Sequence, residues 1–154
     1  MSTDTAPTET RPTHRHPAES DGPIVLFDGV CNLCNGFVQF VLRHERDREP
    51  RLRFAALQST VGSELLTAHG LDPASLDSVV LIEGGTARTC SDAVLGVLRH
   101  LRAPWRLARI FGVLPRFVRD AGYRVVARSR YRLFGKKDAC PMPTAELRTR
   151  FLGP

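Results

Sequence analysis

Cys31 and Cys34 are two thiols three positions apart, with Asn32 and Leu33 between them and Asp28 three residues upstream. On a helix this spacing puts both sulfurs on one face, one turn apart. Such a pair can form a disulfide and exchange it with a substrate through a mixed disulfide, or supply half of a zinc site. The thiolate is the reactive form. A cysteine that opens a helix meets unpaired N–H groups and a partial positive charge, which stabilise it. In Cys-x-x-Cys pairs thiol pKa values of roughly 3.5 to 7.5 occur, against about 8.5 for a free cysteine. This reading makes Cys31 the nucleophile and Cys34 the resolving thiol. Asp28 is a proton acceptor for Cys34, a charge that tunes the pair, or a turn-former ahead of Gly29.

Two plainer readings compete. A structural zinc site needs four ligands. The sequence holds no second Cys-x-x-Cys and no His-x-x-x-His, so Cys90 and Cys140 would have to complete the set through the fold. A merely structural pair of buried thiols is the other. The redox reading is preferred because the pair sits where a strand feeds a helix.

The elements that must position the pair follow from the pattern. Ile24-Val25-Leu26-Phe27 is a continuous apolar run of strand length, closed by Asp28-Gly29. Leu33, Phe37, Phe40, Val41 and His44 then recur at helical spacing, ending in the charged stretch before Pro50. Arg51 to Ala55 alternates as a second strand. Ser59 or Thr60 caps a short helix carrying Leu65 and Leu66, and Gly70 ends it. Ser78 to Glu83 and Thr86 to Thr89 are strands joined by the hairpin turn Gly84-Gly85. Ser91-Asp92 caps a helix with Ala93, Val94, Val97, Leu98 and Leu101 on its apolar stripe. The order β-α-β-α-β-β-α over residues 23–102 is that of a glutaredoxin-like thioredoxin core, an α/β fold.

Beyond Pro104 the pattern is helical: Trp105 to Phe111, a stripe of Leu114, Phe117, Val118, Ala121 and Val125, and a final segment from Thr144 to Phe151. The expected organisation is a disordered tail over 1–22 and one domain over 23–154, with core 23–102 and helical extension 103–154. The 154 residues and 42% apolar content suit one domain with a real core.

The stretch Phe27-Asp28-Gly29-Val30-Cys31-Asn32-Leu33-Cys34-Asn35 resembles the signature of the DCC family of predicted thiol-disulfide oxidoreductases. Arg53-Phe54-Ala55, Leu57-Gln58-Ser59, Asp77 to Leu81, Ser91-Asp92-Ala93, Arg130-Tyr131-Arg132 and Cys140-Pro141 also resemble it. The likeness runs from Pro23 to Leu152. It implies a thioredoxin-like fold and carries Asp28, Cys31 and Cys34 over as motif residues. One departure stands out. Better-studied thioredoxins place a cis-proline just before the third strand, facing the active-site cysteine. Here that place is near Asp77-Ser78, and Pro73 comes too early.

The net charge of +6 is unevenly spread, because Arg99 to Lys137 carries twelve Lys and Arg against the single acid Asp120. A solvated helix face is the ordinary meaning. An acidic partner or an anionic membrane surface is the alternative, and nucleic acid is disfavoured. Trp105, Phe111, Phe117, Tyr123, Tyr131 and Phe134 are interleaved with these charges and are expected in the core. Cys90 is expected as a small buried group and Cys140 as a peripheral thiol. The five histidines form no ligand pattern. No apolar run reaches the roughly 18 residues of a membrane span and no secretory h-region is visible, so a cytoplasmic location is expected. The expected partner is a protein or small-molecule thiol or disulfide, and no cofactor is called for.

Overall fold

The computed structural model describes residues 21–47, 51–76, 78–136 and 148–153. Four short strands, β1 (Ile24–Phe27), β2 (Arg53–Ala56), β3 (Val80–Glu83) and β4 (Thr86–Thr89), form one sheet in the order β2-β1-β3-β4. β1 runs parallel to β2, and α1 (Asn32–His44) connects them. β3 is antiparallel to both β1 and β4. α2 (Thr60–Ala68) and α3 (Cys90–Leu98) complete the β-α-β-α-β-β-α order expected from the sequence. The result is a mixed α/β, thioredoxin-like arrangement.

β1 is apolar throughout because both sheet faces are covered. Val25 and Phe27 point to one face, with Val38 and Val41 of α1, Leu81 of β3, and Ala93 and Val97 of α3. Ile24 and Leu26 point to the other, with Leu65 and Leu66 of α2 and with Val80 and Ile82. The turn glycines Gly84 and Gly85 have φ of +61° and +77°, the left-handed conformation that a tight hairpin needs at both central positions. Ser59 caps α2 by accepting the Gly62 N–H, and Gly70 leaves that helix at φ +68°.

The chain beyond the core departs from several expectations. Residues Trp105–Val113 form a 3-10 helix, and α4 runs from Arg116 to Phe134. The stripe expected to pack inward faces out: Phe117 is 75% exposed and Val125 68%, and Trp105, Phe111 and Phe134 are exposed as well. The buried residue of α4 is Arg130, with Tyr123 and Tyr131 half-buried beside it. Polar contacts with α3 accompany this choice of face. Arg119 and Arg116 each meet Asp92 of α3 at 2.8 Å, and the Ser91 hydroxyl meets Asp120. Ser91 and Asp92 therefore tie α3 to α4 instead of capping α3, whose N-cap is Thr89.

The final helix expected over Thr144 to Phe151 lies partly outside the described residues. Of its described part, Arg148 is helical and Thr149 and Arg150 form a turn; Phe151 then pairs alongside Phe54, with Phe54 N–H on Arg150 O at 2.8 Å and Leu152 N–H on Phe54 O at 2.7 Å. This covers the outer edge of β2. The expected tail over 1–22 falls outside the description except for its last two residues. No helix among the described residues is long and apolar enough to cross a membrane.

Candidate active site

The β1 strand ends at Phe27, and the chain turns through Asp28, Gly29 and Val30 to Cys31, the N-cap of α1. The turn is an Asx turn: the Val30 N–H bonds the Asp28 carboxylate at 3.1 Å, and the Cys31 N–H bonds the Asp28 carbonyl. Asn35 locks it from the next turn, donating through Nδ2 to Gly29 O at 2.9 Å and Cys31 O at 3.0 Å. Cys31 thus stands at the N-terminus of α1, where the Asn32 N–H is taken by Gly135 O at 3.4 Å, and Cys34 lies one turn inside. Both are free thiols, fully buried or nearly so.

The Asp28 carboxylate is buried among four donors. One oxygen takes Val30 N–H and Gln58 Nε2, the latter at 2.8 Å. The other takes the Tyr131 hydroxyl and Arg130 Nη2, the latter at 3.2 Å. Burial alone would raise its pKa. The hydrogen bonds from Tyr131, Gln58 and Val30, with the Arg130 charge, outweigh burial and hold the carboxyl below its ordinary range.

Arg130 comes from α4, and its Nη1 lies 3.5 Å from Cys34 Sγ. One guanidinium thus joins the carboxylate to the dithiol. Burial and the neighbouring Cys31 push the Cys34 thiol up to about 12, with Arg130 and the Asp28 backbone N–H acting the other way. Burial and the bond to Asp28 likewise push Tyr131 up to about 12. At neutral pH the set is therefore a protonated Cys34, an ionised Asp28 and a charged Arg130.

A strap of backbone closes the site. Cys31 forms an antiparallel bridge with Lys136, and the Asn32 side chain donates to Phe134 O at 2.6 Å. The strap leaves α4 at Gly135, whose φ of +73° and ψ of 178° belong to a region open essentially to glycine alone. Ahead of β3, at the place where a cis-proline would face the dithiol in better-studied thioredoxins, the Val79 N–H is bonded to the Tyr123 hydroxyl at 3.0 Å. The cis peptide found among the described residues is Ala103-Pro104, away from this place.

The three residues singled out from the sequence, Asp28, Cys31 and Cys34, are brought together. Arg130, Tyr131 and Gln58 were not anticipated as site residues, although they lie within the stretches that carried the resemblance. Cys90, expected to be buried, is half-buried at the start of α3 and outside this cluster. Cys140 lies outside the described residues. His44 and His69 bond carbonyls of their own helices, and His100 meets Glu83 at 2.9 Å. Among the described residues no three His, Cys, Asp or Glu side chains converge as metal ligands.

The model of the DCC1-like thiol-disulfide oxidoreductase family matches residues 25–136. The "Uncharacterized protein YuxK" of Bacillus subtilis (strain 168) is 47% identical over 129 residues, covering 84% of this chain and 93% of that protein. The "DCC family protein At1g52590, chloroplastic" of Arabidopsis thaliana is 46% identical over 125 residues, covering 80% of this chain and 72% of its own. No solved structure matches. The matched span begins within β1 and ends at the strap, so it contains the dithiol, its carboxylate and the cation between them: the chain belongs to the DCC1-like thiol-disulfide oxidoreductase family.

Proposed function

We propose that the protein exchanges disulfides through Cys31 and Cys34, with Cys31 as the attacking sulfur and Cys34 as the resolving one. The observation that carries this is the contrast between the two positions. Cys31 stands at the N-cap of α1, ahead of the helix, while Cys34 lies one turn inside it and burial keeps that thiol protonated. In the reducing direction Cys31 attacks a substrate disulfide and one substrate thiol leaves. Cys34 then attacks the Cys31 sulfur, the second substrate thiol leaves, and the protein holds the Cys31–Cys34 disulfide. Asp28 has both oxygens engaged by donors, so it acts as a positioning residue that holds Arg130 against Cys34. The test is titration of the purified protein against glutathione buffers, with the disulfide read by mass spectrometry. A reversible Cys31–Cys34 disulfide, and a glutathione adduct trapped on Cys31 in Cys34→Ser, are the expected results. No disulfide at any ratio would overturn the reading.

A second reading concerns the extension. Every large apolar side chain found exposed among the described residues lies between Trp105 and Phe134. Arg109, Arg124, Arg128 and Arg132 are exposed on the same two segments. Apolar side chains mixed with cations on a surface helix are the pattern of interfacial binding to anionic lipid. This face is proposed to dock on an anionic membrane surface. Co-sedimentation with vesicles containing phosphatidylserine, lost in pure phosphatidylcholine and weakened by salt, would support it. Equal behaviour on both vesicles would refute it.

A further inference from the structure

Beside the dithiol, α1, α3, the 3-10 helix and α4 form a cavity of about 470 Å³ that is open to solvent along the exposed Phe111 and Val126. Its walls include Phe37, Leu95, Leu98, Phe111 and Val126, and Cys34 and Arg130 also line it. The volume falls in the range of small-molecule sites, roughly 300–1,000 Å³. Other polar side chains at its edge have partners within the protein. Ser91 is bonded to Asp120, Arg119 to Asp92, and the Tyr123 hydroxyl accepts the Val79 N–H. What the cavity offers a ligand is hydrocarbon on most sides and one sulfur.

The surroundings select against a polypeptide. An extended substrate chain would need backbone groups beside the dithiol to pair with. The bridge to Lys136 occupies Cys31, and Tyr123 occupies the Val79 N–H. Both come from α4 and its strap, whereas the cavity leads to Cys34 between the helices.

We propose that this cavity is a substrate pocket for a small lipophilic disulfide, whose hydrocarbon body fills it and whose sulfurs lie at its dithiol end, where Cys34 forms the wall and Cys31 stands within hydrogen-bond reach of Cys34. This rests on the exchange reading and adds the class of substrate. The reaction balances as the protein dithiol plus R–S–S–R giving the Cys31–Cys34 disulfide plus two R–SH. The ligand's S–S bond breaks, the Cys31–Cys34 bond forms, and the two electrons and two protons of the dithiol pass to the two leaving thiols.

The test compares dibenzyl disulfide with 2-hydroxyethyl disulfide as oxidants of the full-length reduced protein. Each rate is divided by the rate of the same disulfide with dithiothreitol. The expected result is a preference for dibenzyl disulfide of about tenfold or more. Gly122→Leu adds a side chain at the lining, where a Cβ meets nothing within 4 Å. It should bring the ratio close to one while leaving the 2-hydroxyethyl disulfide rate unchanged. Ala127→Phe is a second blocking variant should the first not fold. Dibenzyl sulfide, which cannot exchange, should bind the wild type and compete with dibenzyl disulfide only. Equal normalised rates for both disulfides would overturn the pocket and leave the exchange reading standing. Oxidation by neither would overturn the exchange reading itself. Failure of the sulfide to bind a chain that sediments as a dimer would assign the face to a second copy and overturn the proposal.

Discussion

The Arg130 guanidinium lies 3.5 Å from Cys34 Sγ and 3.2 Å from Asp28 Oδ2, so a residue 96 positions downstream of Cys34 joins the carboxylate to the dithiol. The three groups form a charge-compensated set in which each substitution has a predictable sign.

The redox potential should move in opposite directions for the two charged partners. In alkaline buffer, where the reduced pair carries thiolate, removing the cation disfavours that form, so Arg130→Met should lower the potential measured there. Asp28→Asn leaves the cation uncompensated, favours thiolate and should raise it. Each unit of pKa is worth about 1.4 kcal/mol, or about 30 mV for this two-electron couple. Shifts of tens of millivolts with opposite signs, read by glutathione titration, are expected. A role limited to packing would not produce the sign reversal.

Stability should show the same coupling. Asp28 and Arg130 are buried to within 4% of full burial, and removing one partner of such a pair costs about 3–5 kcal/mol. Either single variant should lower the urea unfolding free energy by about that much. The double variant Asp28→Asn, Arg130→Met should lose less than the sum, by about 1–3 kcal/mol. Additive losses would show that the two groups do not interact.

The pH profile follows from the same groups. Asp28 has its folded pKa below the unfolded value, so its contribution is complete above the unfolded pKa of about 3.9 and is lost as pH falls through the folded one. Cys34 is raised to about 12, so the folded state holds its proton more tightly. That contribution is complete below the unfolded thiol pKa and is lost as pH rises toward about 12. Urea midpoints of the reduced protein should fall on both sides, with the alkaline loss beginning near the unfolded thiol pKa of about 8.5. Cys34→Ser should remove that first part of the alkaline loss. Asp28→Asn should flatten the acid side.

The strap can be loosened at Gly135. A side chain there is strained by about 1–3 kcal/mol, and a Cβ would stand 3.4 Å from Asn32 Nδ2. Gly135→Val should therefore raise the open fraction. The lower part of that range, about 1–2 kcal/mol, corresponds to a factor of about 5–30 in the equilibrium. Alkylation of Cys31 by iodoacetamide should accelerate by about that factor. An unchanged rate would show that the bridge to Lys136 does not limit access.

The core elements were legible because their signals are local. The apolar run of β1, the Gly84-Gly85 turn, the Ser59 cap and the Gly70 terminus each act within a few residues. The cysteine pair was legible for the same reason, since strand, turn and helix follow each other directly. Arg130 was not, because a lone arginine inside a run of arginines has no local mark. Its burial depends on Asp28, which is 102 positions away. The outward face of α4 was misread because hydrophobic periodicity assumes that the apolar stripe packs inward. Here polar contacts with α3, Arg116 and Arg119 on Asp92 and Ser91 on Asp120, accompany the outward stripe instead. The helix expected over Thr144 to Phe151 was extended too far, since Phe151 lies along β2, a pairing that only the folded sheet edge reveals.

The distance along the chain between the sulfurs and their cation has a consequence for synthesis. On the ribosome Cys31 and Cys34 are made about a hundred residues before Arg130, Tyr131 and the strap. A nascent chain that has reached only the end of α3 lacks the guanidinium beside Cys34 and Tyr123 on the edge ahead of β3. Part of what covers Cys31 and Cys34 is therefore supplied by residues made last, Arg130, Tyr131 and Lys136.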